Sequence, residues 1–334
     1  MRRYEIVSPD GVDALAMSEQ DLPQPGYGQI AVRMRASAIN YRDLSTVEDP
    51  EARGIPYPRI PNSDGAGEVI AVGDGVTEFA LGDRVAGCFF QDWEAGGITA
   101  QAMASALGGP IDGVLAEEVV FNERGAIHLP AHLSFEEGAT LPCAGLTAWN
   151  CLVEQGGLTA GQTVLLLGTG GVSIFGLQIA KMLGARVIIT SSSDDKLARA
   201  AALGADELIN YRDIPDWHAR VLELTNGRGV DVTIETGGGG TLEKTIEATR
   251  VGGVISLIGV LTSGSINPSA VMRKSIRLQG VYVGNRRMFA DMNAAFAQND
   301  IHPVIDQVFD FDDARNAFHA MRGAGHFGKL VVRI

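Results

Sequence analysis

Residues 163–184 constrain this chain more than any other stretch. An apolar run, Val164-Leu165-Leu166-Leu167, leads into Gly168-Thr169-Gly170-Gly171, and twelve residues with helical periodicity, Val172–Leu183, follow and stop at Gly184. A glycine turn between a strand and a helix leaves the first helical N–H groups unpaired and puts a partial positive charge beside bare backbone. Gly168 permits the tight turn, and Gly170 lets the backbone approach a diphosphate. The third fingerprint position, Ser173, is small but is not glycine. The alternative is a glycine turn that binds nothing.

The surroundings favour the binding reading, because the same rhythm repeats. Strands are predicted at Thr163–Leu167, Arg186–Thr190, Glu207–Asn210, Asp231–Glu235, Val254–Ile258 and Leu278–Val283. Helices are predicted at Asp194–Leu203, Asp216–Leu224 and Leu242–Thr249, with Gly184 and Gly204 ending two of the helices. Continuous apolar strands alternating with helices predict a parallel sheet covered on both faces, a Rossmann doubly wound fold.

Residues up to about Pro130 read differently. Short strands such as Gln29–Arg35, Gly67–Val72 and Asp83–Cys88 are split by Gly and Pro, which predicts a β-rich, barrel-like domain. Phe89–Gly113 reads as a loop with one or two helical turns. The tail, with a helix near Ala314–Met321 and a strand Lys329–Ile334, is expected to rejoin the first domain. A chain of 334 residues suits about two domains. The expected boundaries are 1–130 with 285–334 for the first, and 131–284 for the second.

The second strand of the alternating region bears on which dinucleotide is bound. NAD-selective sites place an acid at its end, about 20 residues past the glycines, for the ribose 2′-hydroxyl. Here Ile189-Thr190-Ser191-Ser192-Ser193 carries hydroxyls and Lys196 follows. A 2′-phosphate suits hydroxyls and an ammonium, so NADP(H) is the expected cofactor. Helix capping also explains the serines, together with Asp194 and Asp195.

Charge and composition exclude other classes. The net charge of −13 makes nucleic acid and anionic lipid poor partners. The longest apolar runs are strand-sized, so no membrane span is expected. Met1-Arg2-Arg3-Tyr4-Glu5 has no apolar signal region, which predicts a cytoplasmic location. Three cysteines and six scattered histidines, with no Cys-x-x-Cys, argue against a disulfide framework and a dedicated zinc site.

Motifs spread over nearly the whole length add a resemblance. Ala38-Ile39-Asn40-Tyr41-Arg42-Asp43, Pro61-Asn62-Ser63-Asp64-Gly65-Ala66-Gly67-Glu68-Val69, Gly82-Asp83-Arg84-Val85, Leu141-Pro142-Cys143-Ala144-Gly145-Leu146-Thr147-Ala148, the glycine loop and Phe327-Gly328-Lys329 occur in this order. The chain resembles the medium-chain dehydrogenase/reductase superfamily. That resemblance implies a GroES-like catalytic domain built from both chain ends with the Rossmann domain between them. Zinc members carry Cys where this chain has Asn40 and His-Glu where it has Ser63-Asp64, and of the ligand positions only Cys143 keeps a sulfur. The resemblance is therefore to the zinc-independent branch, quinone oxidoreductases and enoyl reductases among them, with no metal ligands.

The resemblance also implies site residues. Asn40 is placed beside the nicotinamide, and Thr147 near its ribose and phosphate. Gly168, Gly170, Gly171 and Val172 form the diphosphate loop. Ser191, Ser192, Lys196 and Tyr211 are placed at the 2′-phosphate, and Ile258-Gly259-Val260 at the carboxamide. Gly284 and Gly328 are further cofactor candidates. Asn40, Tyr41 and Asp64 are the catalytic candidates. Tyr41 is either a proton donor or a tyrosine packing the cleft wall. Three functions stay open: NADPH-dependent reduction of a quinone or conjugated enone or enal, a metal-free alcohol dehydrogenase or carbonyl reductase, and nucleotide binding without turnover. Apolar Ile276–Val283 is an expected strand-pairing edge for a homodimer.

Overall fold

The computed structural model describes residues 1–21, 24–259 and 261–334. The chain divides into two compact units, Met1–Leu146 with Val283–Ile334, and Thr147–Tyr282.

In Thr147–Tyr282 six parallel strands lie in the order Glu207–Asn210, Arg186–Ser191, Thr163–Leu166, Val230–Glu235, Thr249–Leu257 and Arg277–Gly280. The first strand in sequence thus sits centrally, and the strand order reverses beside it, which is where open α/β sheets bind ligands. Every residue of Thr163–Leu166 and Val230–Glu235 is buried. Cover on both faces explains the apolar run Val164-Leu165-Leu166, whereas Val230–Glu235 also buries Asp231, Thr233 and Glu235, each held by hydrogen bonds. Leu165, Ile188 and Ile209 from three strands pack with Trp217 and Val221 from a covering helix. The two glycines expected to stop helices do so in the left-handed region, Gly184 at φ 75° and Gly204 at φ 96°.

Met1–Leu146 with Val283–Ile334 is built on a seven-stranded sheet. Its order is Ile305–Asp310, Lys329–Arg333, Gln29–Ile39, Asp64–Val72, Arg84–Gly87 and Ala126–His128, with Glu118–Asn122 also paired to Gln29–Ile39. The tail rejoins this unit as expected: Lys329–Arg333 runs antiparallel to Gln29–Ile39, with Leu330 opposite Ile39. One helical turn, Ala100–Met103, interrupts 89–113.

Several elements are additional to the sequence reading. The helix Arg286–Asn299 buries Met288, Phe289, Met292 and Phe296, and the Asn285 side chain accepts the Met288 N–H at 2.9 Å to start it. Leu141–Gly145 and Asn150–Gln155 are wound as π-helix on either side of Leu146–Trp149, a winding that recurs at functional sites. Among the described residues, no helix is long and apolar enough to cross a membrane.

Candidate active site

The glycine loop forms one candidate site, wholly within Thr147–Tyr282. Gly168 has φ 75°, a conformation that favours glycine. Gly170 precedes the helix Gly171–Met182, and no side chain caps that helix. A Cβ placed at Gly168 or Gly170 would meet no protein atom within 4 Å. The missing side chains therefore leave a space that the protein does not fill. Unpaired amides at the start of a twelve-residue helix give that space a preference for an anion.

The close helix–strand contact lies elsewhere than the fingerprint suggests. Ser173 is buried, and its hydroxyl donates to the Leu167 carbonyl at 2.7 Å. One turn later, a Cβ on Gly176 would lie 2.9 Å from Ile234 Cδ1 and 3.0 Å from Leu166 Cδ2. Gly176 is thus the residue that lets the helix sit against the sheet, a role the glycine spacing alone assigns to position 173.

Around this loop the other candidates follow strand ends. Ser191 ends the second strand and is 2% exposed; its hydroxyl pairs with that of Thr169 at 3.3 Å. Its carbonyl accepts the Tyr211 N–H at 3.0 Å, which ties the second and third strand ends together. Ser192 and Lys196 are partly exposed, and Tyr211 is 41% exposed. Thr147 is buried. The Ile258 and Gly259 N–H groups both donate to the Glu235 carbonyl, at 3.1 and 2.9 Å. Val260 lies outside the described residues.

Glu235 was not among the sequence candidates, yet it organises this rim. Its buried carboxylate accepts from the amides of Gly237 (2.8 Å) and Gly238 (3.0 Å) and from the Thr241 hydroxyl (2.6 Å), and Thr245 donates to its second oxygen. The signal for it is an acid ending a buried strand two residues before a glycine run that opens a helix.

A second cluster of candidates lies wholly within the sheet-rich unit. Asn40 caps the helix Tyr41–Glu48. Its backbone N–H donates to Asp43 Oδ2 at 2.9 Å, and its side-chain amide donates to the same oxygen at 3.2 Å. The Asn40 side-chain carbonyl accepts from the Lys329 ammonium, which also donates to the Ile39 carbonyl at 2.9 Å. Lys329 is 2% exposed. A buried ammonium is costly unless paired, and two fully buried carboxylates, Asp43 and Asp64, stand in the same cluster. Arg42 supplies a second cation, 3.5 Å from Asp43 Oδ1, and donates to the Leu107 carbonyl at 2.6 Å and the Gly108 carbonyl at 2.9 Å.

Asp64 accepts the Ser63 hydroxyl at 2.7 Å and the Cys143 backbone N–H at 3.0 Å. Burial pushes its carboxyl up to about 6; Asp43 pushes the same way, while Lys329 and the bonds from Ser63 and Asn40 oppose it. Loss of water, with Asp64 adding, holds the Cys143 thiol far above its ordinary range, so it is neutral at pH 7. Tyr41 is 45% exposed. Gly284 and Gly328 also belong to this unit, where each has a packing reason: a Cβ on Gly284 would meet Leu146 Cγ at 2.8 Å, and Gly328 has φ 81° with the Val304 carbonyl against it.

The comparisons agree with this division of labour. Residues 26–131 match the family described as alcohol dehydrogenase GroES-like domain, and residues 171–298 the family described as zinc-binding dehydrogenase. A zinc-type alcohol dehydrogenase-like protein of Schizosaccharomyces pombe is 40% identical over 333 residues, covering 97% of this chain and 96% of that one. The crystal structure of an NAD-dependent alcohol dehydrogenase is 33% identical, covers both chains fully and superposes with a TM-score of 0.90. A quinone oxidoreductase of Pseudomonas syringae pv. Tomato DC3000 is 26% identical over 100% of this chain and 99% of that one, with a TM-score of 0.83. With a GroES-like unit, a doubly wound parallel sheet and relatives matched from end to end, the chain belongs to the medium-chain dehydrogenase/reductase superfamily and is an NAD(P)-dependent oxidoreductase.

Proposed function

We propose that the protein is an NADPH-dependent reductase of a quinone or a conjugated enone or enal, working without a metal. The uncapped helix behind Gly170, with its open space, carries the cofactor half of this reading. When bound, the nicotinamide supplies the hydride. Gly168, Gly170, Gly171 and Val172 would hold the diphosphate. No acid ends the strand Arg186–Ser191, and Ser192, Lys196 and Tyr211 are exposed enough to meet a 2′-phosphate. Ser191, with its hydroxyl turned to Thr169, would shape that pocket instead of donating into it. Because the Ile258 and Gly259 amides are already used, this stretch would offer carbonyls to a carboxamide.

The donor set supports the metal-free half. A catalytic zinc takes three protein ligands with lone pairs to give. The Asn40 amide is bonded at both ends, and the Ser63 hydroxyl is donated to Asp64. The buried ammonium of Lys329 adds a fixed positive charge next to Asn40. These residues do not fit a zinc ion. In its place the buried bond from Lys329 would hold Asn40 in position, and Asp64, pushed up to about 6, would hold or yield a proton within the cluster. Tyr41 is the exposed hydroxyl that would supply a proton to product.

A metal-free alcohol dehydrogenase or carbonyl reductase is the second reading; the relatives' names support its alcohol dehydrogenase part and not its freedom from metal, one of them being called zinc-type. The same proposal includes a homodimer, since Arg277–Gly280 is the terminal strand of its sheet, and a cytoplasmic location, in keeping with three free cysteines. The test is calorimetric titration with NADPH and NADH, metal analysis of the purified protein, and NADPH oxidation with quinones, enones and aldehydes. Tight NADPH binding, no stoichiometric zinc and turnover of the first two acceptors are expected. Turnover of aldehydes alone favours the second reading, and binding of neither coenzyme overturns both.

A further inference from the structure

A separate cluster of potential ligands shares no residue with the glycine loop or with the Asn40–Asp64 cluster. One ring nitrogen each of His132 and His302 and a carboxylate oxygen of Asp300 all lie within 4.8 Å of one another. The fold brings them together from two distant stretches. His132 precedes the short helix Phe135–Ala139, while Asp300 and His302 belong to the turn between Arg286–Asn299 and Ile305–Asp310. Asp300 ends its helix in the left-handed conformation, φ 51° and ψ 44°. His132 Nε2 lies 3.1 Å from the Ile301 carbonyl, and the two imidazoles cross edge to face with centroids 5.1 Å apart.

Hydrogen bonds decide which nitrogens carry lone pairs. The Ile301 carbonyl is an acceptor only, so the proton of a neutral His132 sits on Nε2 and the lone pair on Nδ1. Glu137 Oε1 lies 2.7 Å from His302 Nδ1, so that nitrogen is the donor; Glu137 and Asp300 raise the His302 pKa, so an ion bound at Nε2 would displace the proton held there. His302 Nε2 faces Asp300 Oδ1 at 3.6 Å. Metal-bound imidazoles are held in this way, with the outer ring N–H tied to a carboxylate or a backbone carbonyl and the other nitrogen presented to the ion. Glu137 is itself anchored, since its second oxygen accepts the Ser134 N–H at 2.7 Å.

We propose that His132, Asp300 and His302 form a surface site for a borderline divalent transition-metal ion such as Zn²⁺, with water completing the coordination and Glu137 positioning His302. Two imidazoles and one carboxylate select such ions over Mg²⁺ and Ca²⁺, which prefer all-oxygen sets. Bonds of about 2.1 Å need ligand atoms roughly 3.4 Å apart. The side chains of Asp300 and His302 are 82% and 49% exposed, on the surface where rotamer changes cost least. A bound ion would staple the approach to the helix Phe135–Ala139 to the turn at 300–302.

The test uses the full-length protein, stripped with a chelator and exchanged into chelator-free buffer. It is titrated with Zn²⁺ by calorimetry and with Co²⁺ by visible absorption, whose intensity reports low-symmetry nitrogen and oxygen coordination. One ion per chain is expected. His132→Ala and His302→Ala should each weaken binding by at least about tenfold, and Glu137→Gln by about 10–100-fold, the usual effect of losing an outer partner. Cys143→Ser should leave binding unchanged. The His variants should keep the fold in far-ultraviolet circular dichroism and retain wild-type turnover. Absence of saturable binding, binding that survives the double variant His132→Ala/His302→Ala, or binding abolished by Cys143→Ser overturns the proposal.

Discussion

The ammonium of Lys329 donates to the side-chain carbonyl of Asn40, a residue 289 positions earlier in the chain. The bond joins the last strand of the sheet-rich unit to the cap of the helix Tyr41–Glu48. Lys329 is also the cation that opposes the raised titration of Asp64. Replacing it with methionine keeps the stem and removes the charge, so Asp43 and Asp64 lose one of two compensating cations. Breaking a buried ion network from one side costs about 3–5 kcal/mol. Lys329→Met should lower the urea-unfolding free energy by that order, and Lys329→Arg by less. A loss under about 1 kcal/mol would show that the ammonium is not compensating the two acids.

Asp64 gives the pH dependence of stability a definite sign. Its folded carboxyl titrates near 6 and its unfolded one near 3.8, chiefly because burial disfavours the charged form. Between those values the folded state binds more protons than the unfolded state. Stability from this group is therefore full below about pH 4 and falls as pH rises through 6. Two units correspond to about 3 kcal/mol. The difference in unfolding free energy between Asp64→Asn and the native protein should move in favour of the variant by roughly that amount from pH 4 to pH 7. A difference that stays flat over this range would mean that Asp64 is ionised throughout.

Much of the parallel sheet was legible because each strand's own residues report its environment. Glu207–Asn210 has the predicted bounds, and Arg186–Ser191 and Val230–Glu235 differ by one residue at an end. The helix Arg286–Asn299 was not read, because its alanines and polar residues dilute the pattern; the signal was Asn285 ahead of Met288, Phe289, Met292 and Phe296. Asn40 and Asp64 were singled out from motifs and lie in one buried cluster, whereas Lys329 was not read as part of it. Lys329 opens a strand whose next three residues are apolar, and only the pairing of Lys329–Arg333 with Gln29–Ile39 brings it to Asn40. Gly176 escaped for a related reason. Its importance depends on Ile234, 58 positions later, and no local spacing encodes that approach.

Gly170 and Gly176 should respond in opposite ways to the same added methyl group. At Gly170 the backbone is extended, φ −79° and ψ −176°, and a Cβ meets no protein atom, so Gly170→Ala should leave stability within about 1 kcal/mol of native. If the diphosphate occupies that space, the same change should weaken dinucleotide binding by at least about tenfold, or 1.4 kcal/mol. Gly176→Ala instead pushes on Ile234 and Leu166 and should cost about 1–3 kcal/mol of stability. Thermal unfolding and calorimetric titration on both variants separate the roles. Unchanged affinity in Gly170→Ala would place the diphosphate elsewhere.

The cofactor preference is tested at the first turn of the next helix. Ser193 caps the helix Asp194–Ala202, accepting the Lys196 N–H, and Lys196 stands one turn past the hydroxyl run at the strand end. A charge-assisted bond from its ammonium to a 2′-phosphate is worth about 1.5–3 kcal/mol, whereas NADH has no phosphate there to lose. Lys196→Ala should therefore weaken NADPH binding by roughly tenfold to a hundredfold and leave NADH binding unchanged. Adding an acid at the strand end, Ser191→Asp, should act in the same direction by repelling the phosphate, though its buried hydroxyl also serves Thr169 and some stability is lost with it. Equal loss of both coenzymes in Lys196→Ala would mean that this lysine serves the fold of the rim and does not read the phosphate.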